Sequence, residues 1–273
     1  MRTAGQVLKR IFMVGLIVMG VAVLGLAGVV AYDTVFPAQR ASDFTNTTFT
    51  APDGVERTGY LARPSGPGPH PAVLVIHEFY GINADVTKKA DLLAQQGYTA
   101  FAPDAYRGAT TTLIPRAIWL VSTTPQDQIR ADLDAAYRYL TTLDGVDPLR
   151  VGAVGFCFGG TQVMHLATRT PDLRAAVIFY GNGPIADPQA LGVMGQSGPV
   201  LGIYGEQDTG IPIEEVRAFE AAMDLRGVPN QVTIYPGVGH AFVNTETLAR
   251  PGQAQLAWQQ MLAFLNENLG TAQ

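Results

Sequence analysis

The residue types that carry chemistry here are one thiol, one histidine and one carboxylate, arranged in the order that acyl transfer uses. Cys157, the only cysteine among 273 residues, stands in Gly155-Phe156-Cys157-Phe158-Gly159-Gly160, directly after the apolar run Val151-Gly152-Ala153-Val154. A strand, a glycine-framed turn and a helix start are what lift a nucleophile onto a strained elbow, with sulfur here in the place of the serine oxygen of G-x-S-x-G. A free cysteine is more often a small buried hydrophobe. Burial alone gives no reason for three glycines in six residues, so the sequence favours a nucleophile.

A thiol nucleophile needs a base and a group to orient that base. Of the four histidines, His70 and His165 suit packing or surface roles, and His77, ending a strand, is a weaker base. His240 lies in Gly237-Val238-Gly239-His240-Ala241-Phe242, a glycine loop after the last predicted strand. The acid belongs between nucleophile and histidine. Tyr204-Gly205-Glu206-Gln207-Asp208 offers Glu206 and Asp208, and the shorter Asp208, deeper in the loop before Ile211-Pro212, fits better. Backbone N–H groups of Phe158 and Phe79 are the expected oxyanion donors. Glu78 places a carboxylate at the mouth of the same site. One cysteine excludes an intrachain disulfide framework and a cysteine zinc site; neither a metal nor a cofactor is expected.

The elements that must position these residues alternate. Extended runs at 44–49 and 56–62 around Asp53-Gly54 predict an antiparallel hairpin. A proline cluster at 64–71 precedes the apolar run 72–77, which reads as a fully buried parallel strand. Then follow helix 85–96 closed by Gly97, strand 98–103, and an amphipathic helix after Pro125 carrying Ile129, Leu133, Ala136, Tyr137 and Leu140. Beyond the elbow strand come helix 158–169, strands 175–180 and 199–204, helix 214–225, strand 231–235 and helix 253–266. This alternation predicts an α/β domain with a mostly parallel sheet and helices on both faces. Ligands bind such sheets at the carboxyl ends of the strands, where each catalytic candidate falls. Residues 110–120, apolar and broken by Pro115, predict either a cap over the site or a helix packed into the core, with the cap preferred.

Ahead of this domain, residues 11–31 are uncharged and long enough to cross a bilayer. Arg2, Lys9 and Arg10 precede them, so a basic 1–10 segment should stay cytoplasmic and the domain lie on the far side. The expected organisation is an anchor at 11–31, a linker at 32–43 and a catalytic domain at 44–270. A secreted form after signal cleavage is the alternative. A net charge of −5 without a basic stripe argues against nucleic acid as a partner, and a monomer is expected.

The chain resembles the dienelactone hydrolases, members of the α/β-hydrolase superfamily. The likeness rests on His77-Glu78-Phe79-Tyr80-Gly81-Ile82-Asn83, Ala102-Pro103-Asp104-Ala105-Tyr106, the Cys157 elbow, Tyr204-Gly205-Glu206-Gln207-Asp208 and Gly239-His240-Ala241-Phe242. It implies an α/β-hydrolase fold and a triad of Cys157, Asp208 and His240, with a catalytic Glu78 that hydrogen-bonds the resting thiol and takes its proton when substrate reorders the site. It further implies that a small ester or lactone is attacked by the thiolate and that water cleaves the acyl-enzyme. Tyr80, Tyr106, Arg107 and Asn244 fall at or near the substrate contacts. The departures are Asn244, where dienelactone-specific members carry an arginine, and an arginine displaced by about one residue at Arg107. Two other functions share the scaffold: a thioesterase or acyltransferase using the same triad, and a tethered binding protein without turnover.

Overall fold

The computed structural model describes residues 4–270, so the start of the basic N-terminal segment, with Arg2, lies outside the described residues. The chain runs α1 (Ala4–Val35), β1 (Thr47–Thr50), β2 (Glu56–Ala62), β3 (His70–Ile76), α2 (Ala84–Gln95), β4 (Thr99–Pro103), α3 (Ile114–Thr123) and α4 (Gln126–Thr142). It continues with β5 (Val146–Phe156), α5 (Phe158–Ala167), β6 (Ala175–Phe179), β7 (Val200–Gly205), α6 (Ile213–Leu225), β8 (Asn230–Tyr235), α7 (Thr245–Leu248) and α8 (Gln253–Leu269).

The eight strands form one sheet in the order β1-β2-β4-β3-β5-β6-β7-β8. The β1–β2 and β2–β4 pairs are antiparallel, and every pairing from β4 through β8 is parallel. Successive strand side chains point to opposite faces. Every residue of β3, β4 and β6 is buried, so both faces of the sheet centre are covered. That explains why these strands read as unbroken apolar runs rather than alternating ones. α2, α4, α5 and α8 supply the cover.

The parallel strands share one direction, so their carboxyl ends make a single edge. His77, Asp104, Cys157, Tyr180 and the 206–208 turn each follow one of them. Left-handed backbone at non-glycine residues occurs at Arg107 (φ 53°), Cys157 (φ 55°), Tyr180 (φ 39°) and Ala241 (φ 56°), all along this edge. Such strain persists only where surrounding structure enforces it, and it gathers at functional sites.

Two sequence expectations change at the N-terminal side. The helix extends from Ala4 to Val35, so residues 32–35 of the expected linker are its last turn. Asp33 in that turn is buried and accepts a 2.6 Å hydrogen bond from Thr111 Oγ1, which ties the helix end to the domain instead of leaving a free tether. Residues of the 110–120 segment form α3, whose Ala117 and Leu120 turn inward and which packs along α1.

Candidate active site

Glycine at two positions explains the elbow. A Cβ on Gly155 would run into Gly159 O, and one on Gly159 would run into Ile76 O, so strand and helix pack backbone to backbone there. The turn leaves Cys157 at φ 55° as the residue preceding α5, its N–H bonded to Phe179 O at 3.0 Å.

Two strands away, Asp208 and His240 meet. His240 Nδ1 lies 2.7 Å from Asp208 Oδ2, and the Asp208 side chain is almost wholly buried while the imidazole is one-third exposed. Asp208 Oδ1 accepts from Gly210 N–H at 2.9 Å, which leaves Oδ2 to accept from the imidazole Nδ1–H. With Nδ1 donating, Nε2 keeps its lone pair and is the basic nitrogen. Glu206, the other acid in that turn, accepts instead from Gly237 N–H at 2.9 Å. Tyr180 packs 5.1 Å from the His240 ring and donates to Val243 O at 3.0 Å, holding the histidine loop from beneath.

The thiol is buried. Burial and the Glu78 charge push its pKa up to about 11, against the N–H groups of Phe158 and Phe79, which favour the thiolate. Near neutral pH the resting sulfur is a thiol.

Glu78 departs from the resemblance. Among the described residues it makes no hydrogen bond to Cys157; its Oε1 is buried without a hydrogen-bond partner and faces Lys89 Nζ at 3.6 Å. The cause is a charge that motif reading passes over. Lys89 is fully buried, lies 2.6 Å from Asp85 Oδ2, and sits 3.8 Å from the centroid of the Phe156 ring. Asp85 Oδ1 in turn accepts from Thr245 N–H at 2.7 Å. The cation thus draws the Glu78 carboxylate toward α2 and links α2 to the histidine loop. Burial raises the Glu78 pKa, and Lys89 cancels that only in part. For Asp85 burial also pulls upward, but the Lys89 charge 2.6 Å away, with the Thr245 N–H, outweighs it and its pKa is lowered. The i, i+4 spacing of Asp85 and Lys89 was the one available signal, and such pairs usually mark a solvated helix face.

His77 is a fixture of the loop rather than a base. Its Nε2 accepts from Ala105 N–H at 3.2 Å, so Nδ1 carries the proton and donates to Glu78 O at 2.6 Å. Complete burial lowers its pKa to about 4, and it stays neutral. It thereby pins the Glu78–Phe79 loop to the turn after β4.

The four expected substrate contacts divide. The Tyr106 ring packs 5.0 Å from His77 and 5.3 Å from Phe158, its hydroxyl buried without a partner. Tyr80, half-buried, packs against Phe79, and its phenol pKa is raised by burial and by the Glu78 and Cys157 charges. Arg107 turns to another element: Nε and Nη2 grip Asp132 at 2.7 and 2.9 Å, and Arg57 shares the same carboxylate at 2.8 Å. A guanidinium so engaged is not free for a substrate carboxylate. Asn244 caps α7, its Oδ1 accepting from Glu246 and Thr247 N–H. Arg107→Ala should accordingly lower stability by about 1–3 kcal/mol in urea unfolding and leave the KM ratio of carboxylated to neutral lactones unchanged. A selective rise in KM for the carboxylated compounds would restore Arg107 to the site.

Residues 58–269 match the family model described as "Dienelactone hydrolase family". A Synechocystis protein named "Putative carboxymethylenebutenolidase" is 31% identical over 243 residues, covering 83% of this chain and 98% of that protein. "Protein usf" of Aquifex pyrophilus is 34% identical over 226 residues, 80% of this chain and 96% of its own. Among solved structures, a dienelactone hydrolase-like promiscuous phosphotriesterase from metagenomic libraries superposes with a TM-score of 0.71 at 27% identity, covering 82% of this chain and 98% of that one.

Proposed function

The chain belongs to the dienelactone hydrolase family of α/β-hydrolases, and from that premise we propose that it hydrolyses a carboxylic ester or lactone through Cys157. The observation that carries the reading is the Asp208–His240 pair, held on the same sheet edge as a Cys157 at φ 55° on the glycine-framed turn before α5.

In this reading the substrate carbonyl carbon is attacked by Sγ as the thiol proton passes to His240 Nε2. Asp208 steadies the imidazolium that forms. The carbonyl oxygen takes up negative charge against the Phe158 and Phe79 N–H groups. As the tetrahedral species collapses, the leaving oxygen takes the proton from His240, leaving a thioester on Cys157. Water, losing a proton to His240, cleaves that thioester and returns the proton to sulfur. Glu78 opposes a resting thiolate by its charge and keeps the sulfur protonated until substrate arrives. Tyr80 and Tyr106 form the wall against which the acyl group lies.

The thioester is directly testable. Acid quenching during turnover of p-nitrophenyl acetate, followed by peptide mass analysis, should find an acetyl group on Cys157. Steady turnover with Cys157 unmodified at every time point would overturn the covalent route.

We further read α1 as a retained membrane anchor with the catalytic domain on the side away from the basic N-terminus. The apolar stretch Phe12–Val35 has 24 residues, about 36 Å at 1.5 Å per residue, against a hydrocarbon core of about 30 Å. Cleavage after Ala31 would strip from α3 the helix it packs on, which favours retention over a signal peptide.

A further inference from the structure

We infer that α3 is seated in the membrane beside α1, and that the groove between the two helices is filled by lipid acyl chains. This rests on the reading of α1 as a spanning helix. The exposed side of α3 is apolar: Ile114, Ile118 and Trp119 are each more than half exposed, and Leu113 continues the stripe. From Thr110 to Thr124 there is no acidic residue and Arg116 is the only formal charge. A water-facing helix turns its charged side outward; α3 turns an aromatic and two isoleucines outward. A contiguous apolar face of this kind marks an interaction surface.

Continuity with α1 identifies the occupant. Leu26 and Val30 of α1 and Ile118 and Trp119 of α3 line a predominantly apolar groove of about 820 Å³, which Arg116 and Ser122 of α3 also line. α1, which supplies one wall of this groove, is long and apolar enough to cross a bilayer. Depth follows from Asp33. Its side chain, bonded to Thr111, belongs at the headgroup level, because a carboxylate is costly in hydrocarbon. Val30 and Leu26 lie three and seven residues further into the span, about 4.5 and 10 Å at 1.5 Å per residue. The groove face of α3 therefore reaches about 5–10 Å below that level, the depth at which interfacial helices rest. Tyr32 beside Asp33 and Trp119 on α3 are of the residue types that gather at the interface.

The seat also sets the attitude of the site. Thr110 Oγ1, four residues before α3, lies 3.0 Å from Tyr80 O and 2.8 Å from Ile82 O and shares its one proton between them, and Thr111 N–H donates to Tyr80 O at 3.0 Å. The loop carrying Glu78 and Phe79 is thus stapled to the root of the membrane-seated helix. The sheet edge that bears Cys157 and His240 consequently lies near the headgroups, within reach of amphiphilic esters.

The test uses the full chain in phosphatidylcholine vesicles with and without bromine on the acyl chains, and acrylamide as the aqueous quencher. The Trp119 signal is taken as the difference between wild type and Trp119→Phe, which removes the contribution of buried Trp258. Leu24→Trp in the Trp119→Phe background reports α1 itself. The expected result is that brominated lipid lowers the Trp119 emission at least twofold while acrylamide has little effect, with Leu24→Trp quenched by brominated lipid as well. If Leu24→Trp is quenched by lipid but Trp119 only by acrylamide, α1 spans and the seat is overturned. If Trp119 is shielded from both quenchers, a protein surface covers it and the seat is again overturned. If lipid quenches neither tryptophan, both the span and the seat fall.

Discussion

Cys157→Ala is expected to lower kcat/KM for p-nitrophenyl acetate and for simple lactones by about 10⁴-fold or more, with the urea midpoint little changed. The sulfur is the group that bonds to the acyl carbon, so its removal ends the covalent route. What remains is substrate binding and the Phe158 and Phe79 N–H groups, which in hydrolases of this design leave only a small residual rate over water. The substitution is also a clean one. Cys157 already occupies left-handed backbone at φ 55°, and alanine meets the same steric cost there, so strain neither appears nor disappears. Loss of one partly buried sulfur is a small change in packing. A variant retaining activity within tenfold of wild type would mean that Cys157 is not the nucleophile. A large loss accompanied by unfolding would be a stability effect, which is why the urea midpoint is measured on the same preparation.

The parts of this molecule that were legible in sequence are those where one physical requirement writes directly into residue type. The buried strands β3 and β6 show as apolar runs because both faces are covered, and the elbow shows as glycines because Gly155 and Gly159 touch backbone. Asp208 was separable from Glu206 by side-chain length and loop position, and Asp208 is the one beside His240. The intramolecular partners of Arg107 and Asn244 are not legible in sequence, for a common reason. Motif position fixes where a backbone runs, but the partner of a long or polar side chain comes from another element: Asp132 lies on α4, and the Asn244 cap depends on α7 forming. Lys89 was overlooked because lysine at i+4 from aspartate on a helix ordinarily means solvent, and only the close approach of Phe156 and the Glu78 loop turns that face inward. The helix runs to Val35, four residues into the linker expected at 32–43, and nothing local to Asp33 announces its partner 78 residues away at Thr111.

Lys89→Met should cost about 3 kcal/mol of stability at pH 7, because removing one partner of a buried ion pair leaves the others uncompensated. Methionine keeps the stem and its contact with Phe156, so the loss isolates the charge. The full penalty is moderated by Asp85, whose side chain is about one-quarter exposed and is reached by water. The pH dependence separates this cause from a packing defect. Without the cation, the folded-state pKa values of Glu78 and Asp85 both rise above their ordinary 4.5 and 3.8, so the folded protein binds more protons than the unfolded chain over that interval. Stability of the variant then falls as pH rises from about 4 through the raised values. In wild type the lowered Asp85 pKa has the opposite sign: its contribution is present above the ordinary value and is lost as pH falls through the lowered one. The difference between the two proteins is therefore largest at and above neutrality and narrows toward pH 4. Asp85→Asn combined with Lys89→Met keeps an acceptor for Thr245 N–H and removes one stranded carboxylate, and it should regain about half of the loss. Urea unfolding of the three proteins between pH 4 and pH 8 measures all of this. A deficit that is absent at pH 7, or equal at every pH, would show that Lys89 contributes no more than its volume.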